Sequence, residues 1–184
     1  MQATARMASV VSSTLPARRR LIRSVRPTTQ RPAVSDHWVA VIPRDPEYVP
    51  SSSQAKAALA YLRELATESD EVTFTTDDRI LFRDCGENLE SISCPICSAA
   101  LDQDWWSDRM AEDHDGQGFY LRPIRLPCCG GDASLNQLLY SFDQGFSRFI
   151  LEAMNPNIGR LDDQQVARLS DLLGAPLRVI YQHI

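Results

Sequence analysis

The 184-residue chain has no apolar run of about 18 residues or more, so no segment is predicted to cross a membrane as a helix. It also contains no P-loop, no G-x-G-x-x-G, no G-x-S-x-G and no H-E-x-x-H motif. Lysine is almost absent: the chain contains one lysine, Lys56, and 18 arginines. This ratio is typical of a GC-rich genome. These absences leave no signature of the common nucleotide-binding or hydrolytic enzymes.

Acidic residues are missing from residues 1–35, which contain seven arginines and no sustained apolar periodicity. Such a segment cannot bury enough apolar surface to offset its ordering entropy, so we predict a disordered basic leader. An organelle transit peptide has a similar composition and is an alternative. A gene model with a start upstream of the true one would also explain this segment.

The rest of the chain, residues 36–184, carries 24 acidic residues against 12 basic ones, for a formal charge of −12. Binding a polyanion requires Lys and Arg to replace its counterions, so nucleic acid is a poor ligand for this body. The charge suits a cytoplasmic bacterial protein or one that meets a basic protein partner. No membrane contact is expected.

Apolar spacing, capping residues and turn residues predict the secondary structure of residues 36–184. The Asp77-Asp78 pair is interpreted as the turn of a hairpin, and residues 146–154 fit a helix face as well as a strand. We predict a strand there because it completes a strand–helix–strand unit. The predicted strands are 38–42, 72–76, 79–84, 119–126, 146–154 and 177–184, and the predicted helices are 54–67, 104–112, 134–140 and 162–173.

This order of elements predicts a single α+β domain over residues 36–184. We expect a ferredoxin-like or similar small sheet with helices on one face. An insert at about residues 86–142 would interrupt that sheet, and its cysteines indicate a zinc-ribbon or knuckle-like module.

Two cysteine-bearing turns indicate a structural zinc site. Cys94 and Cys97 form a C-x-x-C turn, and Cys128 and Cys129 lie between a proline and two glycines. Neighbouring side chains usually point apart, so Cys129 is the first choice for the fourth ligand rather than a certain one. The alternatives are Cys85, then His114, and a water in that position would imply an open, potentially catalytic site.

Other interpretations of these residues stay open. The cysteines could be buried free thiols, or Cys94 and Cys97 a redox pair. Trp105 and Trp106 are predicted to pack in the module rather than bind a ligand. The acidic residues between 102 and 115 are predicted to form a solvated face.

The motifs C-P-I-C, W-W and L-P-C-C-G-G, followed by F-I-L-E-A-M-N-P and L-G-A-P-L-R-V-I-Y-Q-H, occur in one order. In this the chain resembles a bacterial family of small Cys-rich proteins from GC-rich genomes, over roughly residues 36–184. The resemblance implies a small protein with a cysteine-based metal site and supplies no catalytic residue.

These observations predict a zinc-stabilised, non-enzymatic interaction or regulatory protein, such as an immunity protein that neutralises a basic partner. A zinc-dependent hydrolase-type enzyme with an open metal position is the alternative. A zinc-ribbon nucleic-acid binder is the second alternative, which the charge of −12 disfavours.

Overall fold

Mixed helix and sheet make up the part of the chain that the computed structural model describes, residues 36–183. The predicted disordered leader, residues 1–35, lies outside these described residues. The elements follow in the order β1 (His37–Pro43), α1 (Ser52–Leu65), β2 (Glu71–Arg83), β3 (Ile92–Ser93), β4 (Ala100–Leu101), α2 (Gln103–Asp113), β5 (Ile124–Arg125), β6 (Asp132–Ala133), a 3-10 turn (Leu135–Gln137), β7 (Leu139–Tyr140), β8 (Gly145–Met154), α3 (Asp163–Leu173) and β9 (Leu177–His183).

The four long strands form one sheet in the order β2-β8-β1-β9, and each neighbouring pair is antiparallel. α1 links β1 to β2, and α3 links β8 to β9, so each helix joins two strands that are separated by a third. The predicted α+β class is confirmed, and residues 146–154 belong to a strand.

Capping residues fix where the two long helices begin. The Ser51 hydroxyl accepts the Gln54 N–H while the Gln54 side chain accepts the Ser51 N–H, and Asp162 and Gln165 repeat this capping box at α3. Each cap satisfies helix donors that would otherwise lack a partner and stabilises the helix by about 1 kcal/mol. Gly174, with φ of 78°, ends α3 in the left-handed conformation that glycine favours.

Alternate residues of β8 face opposite sides of the sheet. Phe149, Leu151 and Ala153 lie under the helices, whereas Phe146 and Ile150 belong to clusters on the other face. The helix-side core consists of Val41, Ala55, Ala58, Leu62, Ala66, Val72, Phe149, Leu151, Ala153, Leu169, Leu173 and Leu177.

Residues 84–144, between β2 and β8, form the segment that we call the insert. It contains two small sheets, one of three strands in the order β4-β3-β7 and one formed by β5 and β6. Its core continues onto the four-stranded sheet, which together with α1 and α3 we call the frame, through Ile80 of β2 and Phe146 of β8, which are buried with insert residues in one cluster. The insert therefore packs against the sheet rather than standing apart from it.

The predicted hairpin at Asp77-Asp78 is wrong. Residues 71–83 form one strand, and both halves pair with β8, with a register shift between Thr76 and Leu81. A side chain of β8 and a backbone group of the insert stabilise the intervening bulge: the Arg148 side chain donates to the Asp77 carbonyl at 3.1 Å, and the Phe119 backbone N–H donates to the Ile80 carbonyl at 2.9 Å. A turn signal is local, whereas these partners lie far away in sequence.

Two predicted elements of the insert are much shorter than expected. The predicted strand at residues 119–126 keeps only Ile124–Arg125, because the N–H groups of residues 120–122 donate to a side-chain carboxylate instead of a strand. The predicted helix at residues 134–140 is one 3-10 turn, and the residues that follow pair with β3. Among residues 36–183, no helix is both long and apolar enough to span a membrane.

Candidate metal centre

Two short hairpins of the insert carry the four cysteines that come together. In the first, Ile92 of β3 pairs with Leu101 of β4, and in the second, Ile124 of β5 pairs with Ala133 of β6. Each hairpin therefore spans ten residues, and the second follows the first at an offset of 32 positions.

The two hairpins share one backbone hydrogen-bond pattern. The Cys94 N–H donates to the Ala99 carbonyl at 2.9 Å, and the Leu126 N–H donates to the Gly131 carbonyl at 2.9 Å. Each turn is then closed by a second bond of 3.0 Å, back to the carbonyl of Cys94 or of Leu126. Three of the ten equivalent positions carry the same residue, so both hairpins share the pattern I-x-x-P-x-C, beginning at Ile92 and Ile124.

A left-handed residue occupies the same place in both turns. Ser98 has φ of 60° and Gly130 has φ of 69°. Glycine adopts this conformation without the Cβ clash that strains other residues. The second turn therefore has the more favourable residue at this position.

The shared pattern places the cysteines of the second hairpin in different positions from those of the first. At the offset of 32, Cys129 is equivalent to Cys97, but Leu126 is equivalent to Cys94. Leu126 is buried at 1% exposure, as Cys94 is at 0%. The remaining cysteine, Cys128, takes the position that Ile96 holds in the first turn.

The four sulfurs of Cys94, Cys97, Cys128 and Cys129, which we call the thiol cluster, lie within 4.8 Å of one another. The Cys94 and Cys129 sulfurs are 3.8 Å apart, and those of Cys97 and Cys128 are 3.5 Å apart. Tetrahedral zinc with Zn–S bonds of about 2.3 Å requires sulfurs about 3.8 Å apart. The spacing therefore fits a single tetrahedral ion.

Backbone N–H groups stabilise one thiolate in particular. The N–H groups of Ile96 and Cys97 donate to the Cys94 sulfur at 3.3 and 3.4 Å. Desolvation raises the pKa of Cys94, but these two N–H groups, together with the neighbouring thiols of Cys97 and Cys128, outweigh it and lower the pKa to about 6. Cys94 is thus the thiol best prepared to ionise as a metal ligand.

The second hairpin leaves its thiols harder to ionise. Desolvation, with the neighbouring thiols of Cys97 and Cys94, raises the pKa of Cys128 to about 12. The Gly131 N–H lowers the pKa of Cys129, but desolvation and the neighbouring thiols leave it raised. A bound divalent cation reverses this order, because it stabilises every thiolate that coordinates it. Four thiols this close are therefore suited to a cation.

The structure brings together the four first-choice ligands, including both adjacent cysteines. It places the alternative ligands elsewhere. The buried Cys85 donates its S–H to the Gln144 side-chain oxygen at 3.3 Å, and the exposed His114 accepts the Gly116 N–H at 3.1 Å. Both adjacent side chains reach one point because they lie in a tight turn and not in an extended strand.

Packing in the insert supports the thiol cluster. Cys94 is part of the insert core, and the other three members of the thiol cluster are exposed. Trp106 stacks edge-on against Phe82 at 6.0 Å and donates to the Tyr140 hydroxyl at 3.2 Å, which agrees with the predicted packing role. The buried members of this core are Ile80, Ile92, Cys94, Leu101, Leu126, Ala133, Leu135, Leu138 and Phe146.

One acidic residue in the stretch predicted to be solvated is buried. Asp113 is 4% exposed, and its carboxylate accepts the N–H groups of residues 120, 121 and 122 at 3.1, 2.7 and 3.1 Å. Sequence reasoning missed this role, since no local pattern marks it. Nearby, N–H groups of the loop and the Arg79 guanidinium hold the pKa of Asp115 well below its usual range.

Comparisons with protein-family models, with curated proteins and with solved structures gave no match. The chemistry of the site therefore follows from its donors. Soft thiolates select zinc, Cu(I) or iron–sulfur clusters over magnesium or calcium. Within residues 36–183, the thiol cluster is the one group of three or more His, Cys, Asp or Glu side chains that lie close enough together to hold a metal ion.

Proposed function

We propose that this chain is a zinc-stabilised, non-enzymatic protein-interaction or regulatory protein. The observation that carries the proposal is the convergence of four cysteine sulfurs at tetrahedral spacing. A metal held by four protein thiolates has no open position for a substrate or a water, which is the arrangement of structural zinc sites. The hydrolase-type alternative needs such an open position.

The small size of the strands in the insert supports a structural role for zinc. β3, β4, β5, β6 and β7 each contain two residues, and an isolated hairpin is at best marginally stable. Joining two such hairpins through one ion makes the free energy of metal binding part of the free energy of folding. Zinc would therefore hold the insert in its folded form.

The proposal includes two finer statements about the fold. The frame is a ferredoxin-like sheet, supported by two β-α-β units whose strands interleave in the order β2-β8-β1-β9. The insert is a zinc-ribbon-like module, supported by two equivalent hairpins that present cysteines to one point.

A basic protein is the partner that the charge favours. Residues 36–184 carry −12, and α2 exposes Asp104, Asp108 and Glu112 at helical spacing on one side. Such a surface attracts and orients a basic partner and repels nucleic acid. An immunity-like protein of the bacterial cytoplasm, where thiols stay reduced, would use this chemistry.

Metal analysis of the purified full chain tests the proposal. We expect about one zinc ion per chain by elemental mass spectrometry, and X-ray absorption should show four sulfur neighbours at about 2.3 Å. Cys85→Ser is the matched control and should bind the same amount of zinc, because Cys85 lies outside the thiol cluster. Three sulfurs with one oxygen or nitrogen would favour the enzyme alternative, and a chain equally stable without metal would overturn the structural role.

A further inference from the structure

The displaced cysteine of the second hairpin, Cys128, differs from Cys94 in its backbone contacts. In the first hairpin, the N–H groups of Ile96 and Cys97 donate to a sulfur at position 94. At the offset of 32, that position is Leu126, which has no sulfur. No backbone N–H among residues 36–183 makes a hydrogen bond to the Cys128 sulfur, which contacts the Cys97 sulfur instead.

Exposure and distance pair Cys128 with one cysteine of the other hairpin. Cys128 and Cys97 are both exposed, and their sulfurs are 3.5 Å apart, whereas Cys94 is buried. N–H···S bonds withdraw electron density from a metal-bound thiolate, so a thiolate without them reacts faster with an oxidant that can reach it. Cys128, like its contact partner Cys97, combines this lack of N–H bonds with solvent access.

We propose that Cys128 is an oxidation site of the metal centre, at which a hydroperoxide drives formation of a Cys97–Cys128 disulfide and releases the metal. This inference rests on the proposed zinc-stabilised function, since it takes Cys128 as a ligand. It adds an exposed, reactive ligand to a site whose other role is structural.

The chemistry takes two steps. The Cys128 thiolate attacks one peroxide oxygen, the O–O bond breaks, and Cys128 becomes a sulfenic acid while the other oxygen leaves as hydroxide and is protonated to water. The Cys97 thiolate then attacks the Cys128 sulfur, the S–S bond forms, and the S–O bond breaks to release a second hydroxide, which is protonated to water. Two thiolates supply the two electrons that reduce the peroxide, and the ion is left with Cys94 and Cys129.

Other pairings in the thiol cluster are less favourable. Cys128 and Cys129 are neighbours, and Cα atoms across a trans peptide are about 3.8 Å apart, shorter than disulfides normally allow. Cys94 is buried and its sulfur accepts two N–H bonds, so it reacts slowly with a solvent oxidant. Cys97 could also pair with the exposed Cys129, but the Cys97 sulfur makes its hydrogen-bond contact across the hairpins with Cys128, at 3.5 Å.

The test treats the zinc-loaded full chain with equimolar hydrogen peroxide. A chromogenic chelator follows zinc release, and peptide mass spectrometry after alkylation locates the disulfide. We expect zinc release to accompany a Cys97–Cys128 bond. Cys128→Ser should slow peroxide-dependent release by about tenfold or more, whereas Cys129→Ser, in the same hairpin, should not protect the metal. Cys85→Ser should behave as the unmodified chain.

The outcomes separate this inference from the proposed function. Zinc that stays bound under peroxide, or a disulfide at another pair, overturns the inference and leaves the zinc-stabilised role intact. A chain that holds no zinc before peroxide is added overturns the proposed function and the inference with it. If Cys128→Ser does not fold, the disulfide map of the unmodified chain decides the matter alone.

Discussion

At the scale of single residues, Asp113 has a role that its place in an acidic stretch hides. Its carboxylate accepts three consecutive N–H groups, those of residues 120–122, in a loop where Leu121 has φ of 56°. Charged acceptors make stronger hydrogen bonds than neutral ones, and buried donors are costly to leave unpaired. Asp113 therefore holds the loop between α2 and β5 in place.

Asp113→Asn should destabilise the protein by about 1–3 kcal/mol, because an amide of the same shape leaves a buried N–H without an acceptor. Urea unfolding followed by circular dichroism measures this change. Asp108→Asn, on the exposed side of the same helix, is the control and should change stability by less than about 0.5 kcal/mol. Equal losses in the two variants would contradict the role given to Asp113.

At the scale of elements, the bulge of β2 and the two equivalent hairpins position the thiol cluster. The bulge carries Ile80, whose carbonyl accepts the Phe119 N–H, and the Phe119 ring packs on Phe146 at 5.0 Å. These contacts join the insert to the sheet. The hairpins then bring sulfurs from residues 94–97 and 128–129 to one point.

The matched turns allow a reciprocal test of backbone strain. Gly130→Ser should destabilise the zinc-loaded chain by about 1 kcal/mol, since a left-handed conformation is costly for a residue with a Cβ. Ser98→Gly should act in the opposite direction, by up to about 1 kcal/mol. Denaturant unfolding of both variants at one zinc concentration checks the two signs, and changes of the same sign would show that the turns are not equivalent.

At the scale of the whole described chain, the cores on the two faces of the sheet are distinct. The helix-side core contains Leu62, Phe149 and Leu169, whereas the insert core contains Cys94 and Phe146. Only the second includes a member of the thiol cluster. Metal should therefore matter more for the insert than for the helices.

Removing zinc from the full chain should loosen the insert and leave the helix-side core folded. Hydrogen exchange measured by mass spectrometry should lose protection over the insert, residues 84–144, and keep it in α1, α3 and β8. In a Trp38→Phe background, Trp105 and Trp106 of the insert are the two remaining tryptophans. Their emission should shift red as the loosened insert exposes them to water. Loss of protection throughout residues 36–183 would show that both cores unfold as one unit.

Local signals in the sequence determined much of the frame and the identity of the candidate ligands. Capping boxes at Ser51 and Asp162, apolar spacing and the Gly174 stop depend on residues a few positions apart, so α1 and α3 could be predicted closely. The four cysteines at two turns likewise predict a metal site from the sequence alone.

Tertiary structure alone decided how these parts combine. The Asp77-Asp78 pair became a bulge because both halves of β2 find hydrogen-bond partners on β8, more than 60 residues away. Cys128 and Cys129 both reach the thiol cluster because the second hairpin has the backbone of the first. Cys129 is equivalent to Cys97, and Cys128 lies two residues after the position equivalent to Cys94. Turn chemistry acts between near neighbours, whereas strand pairing and sulfur convergence depend on atoms that only folding brings together.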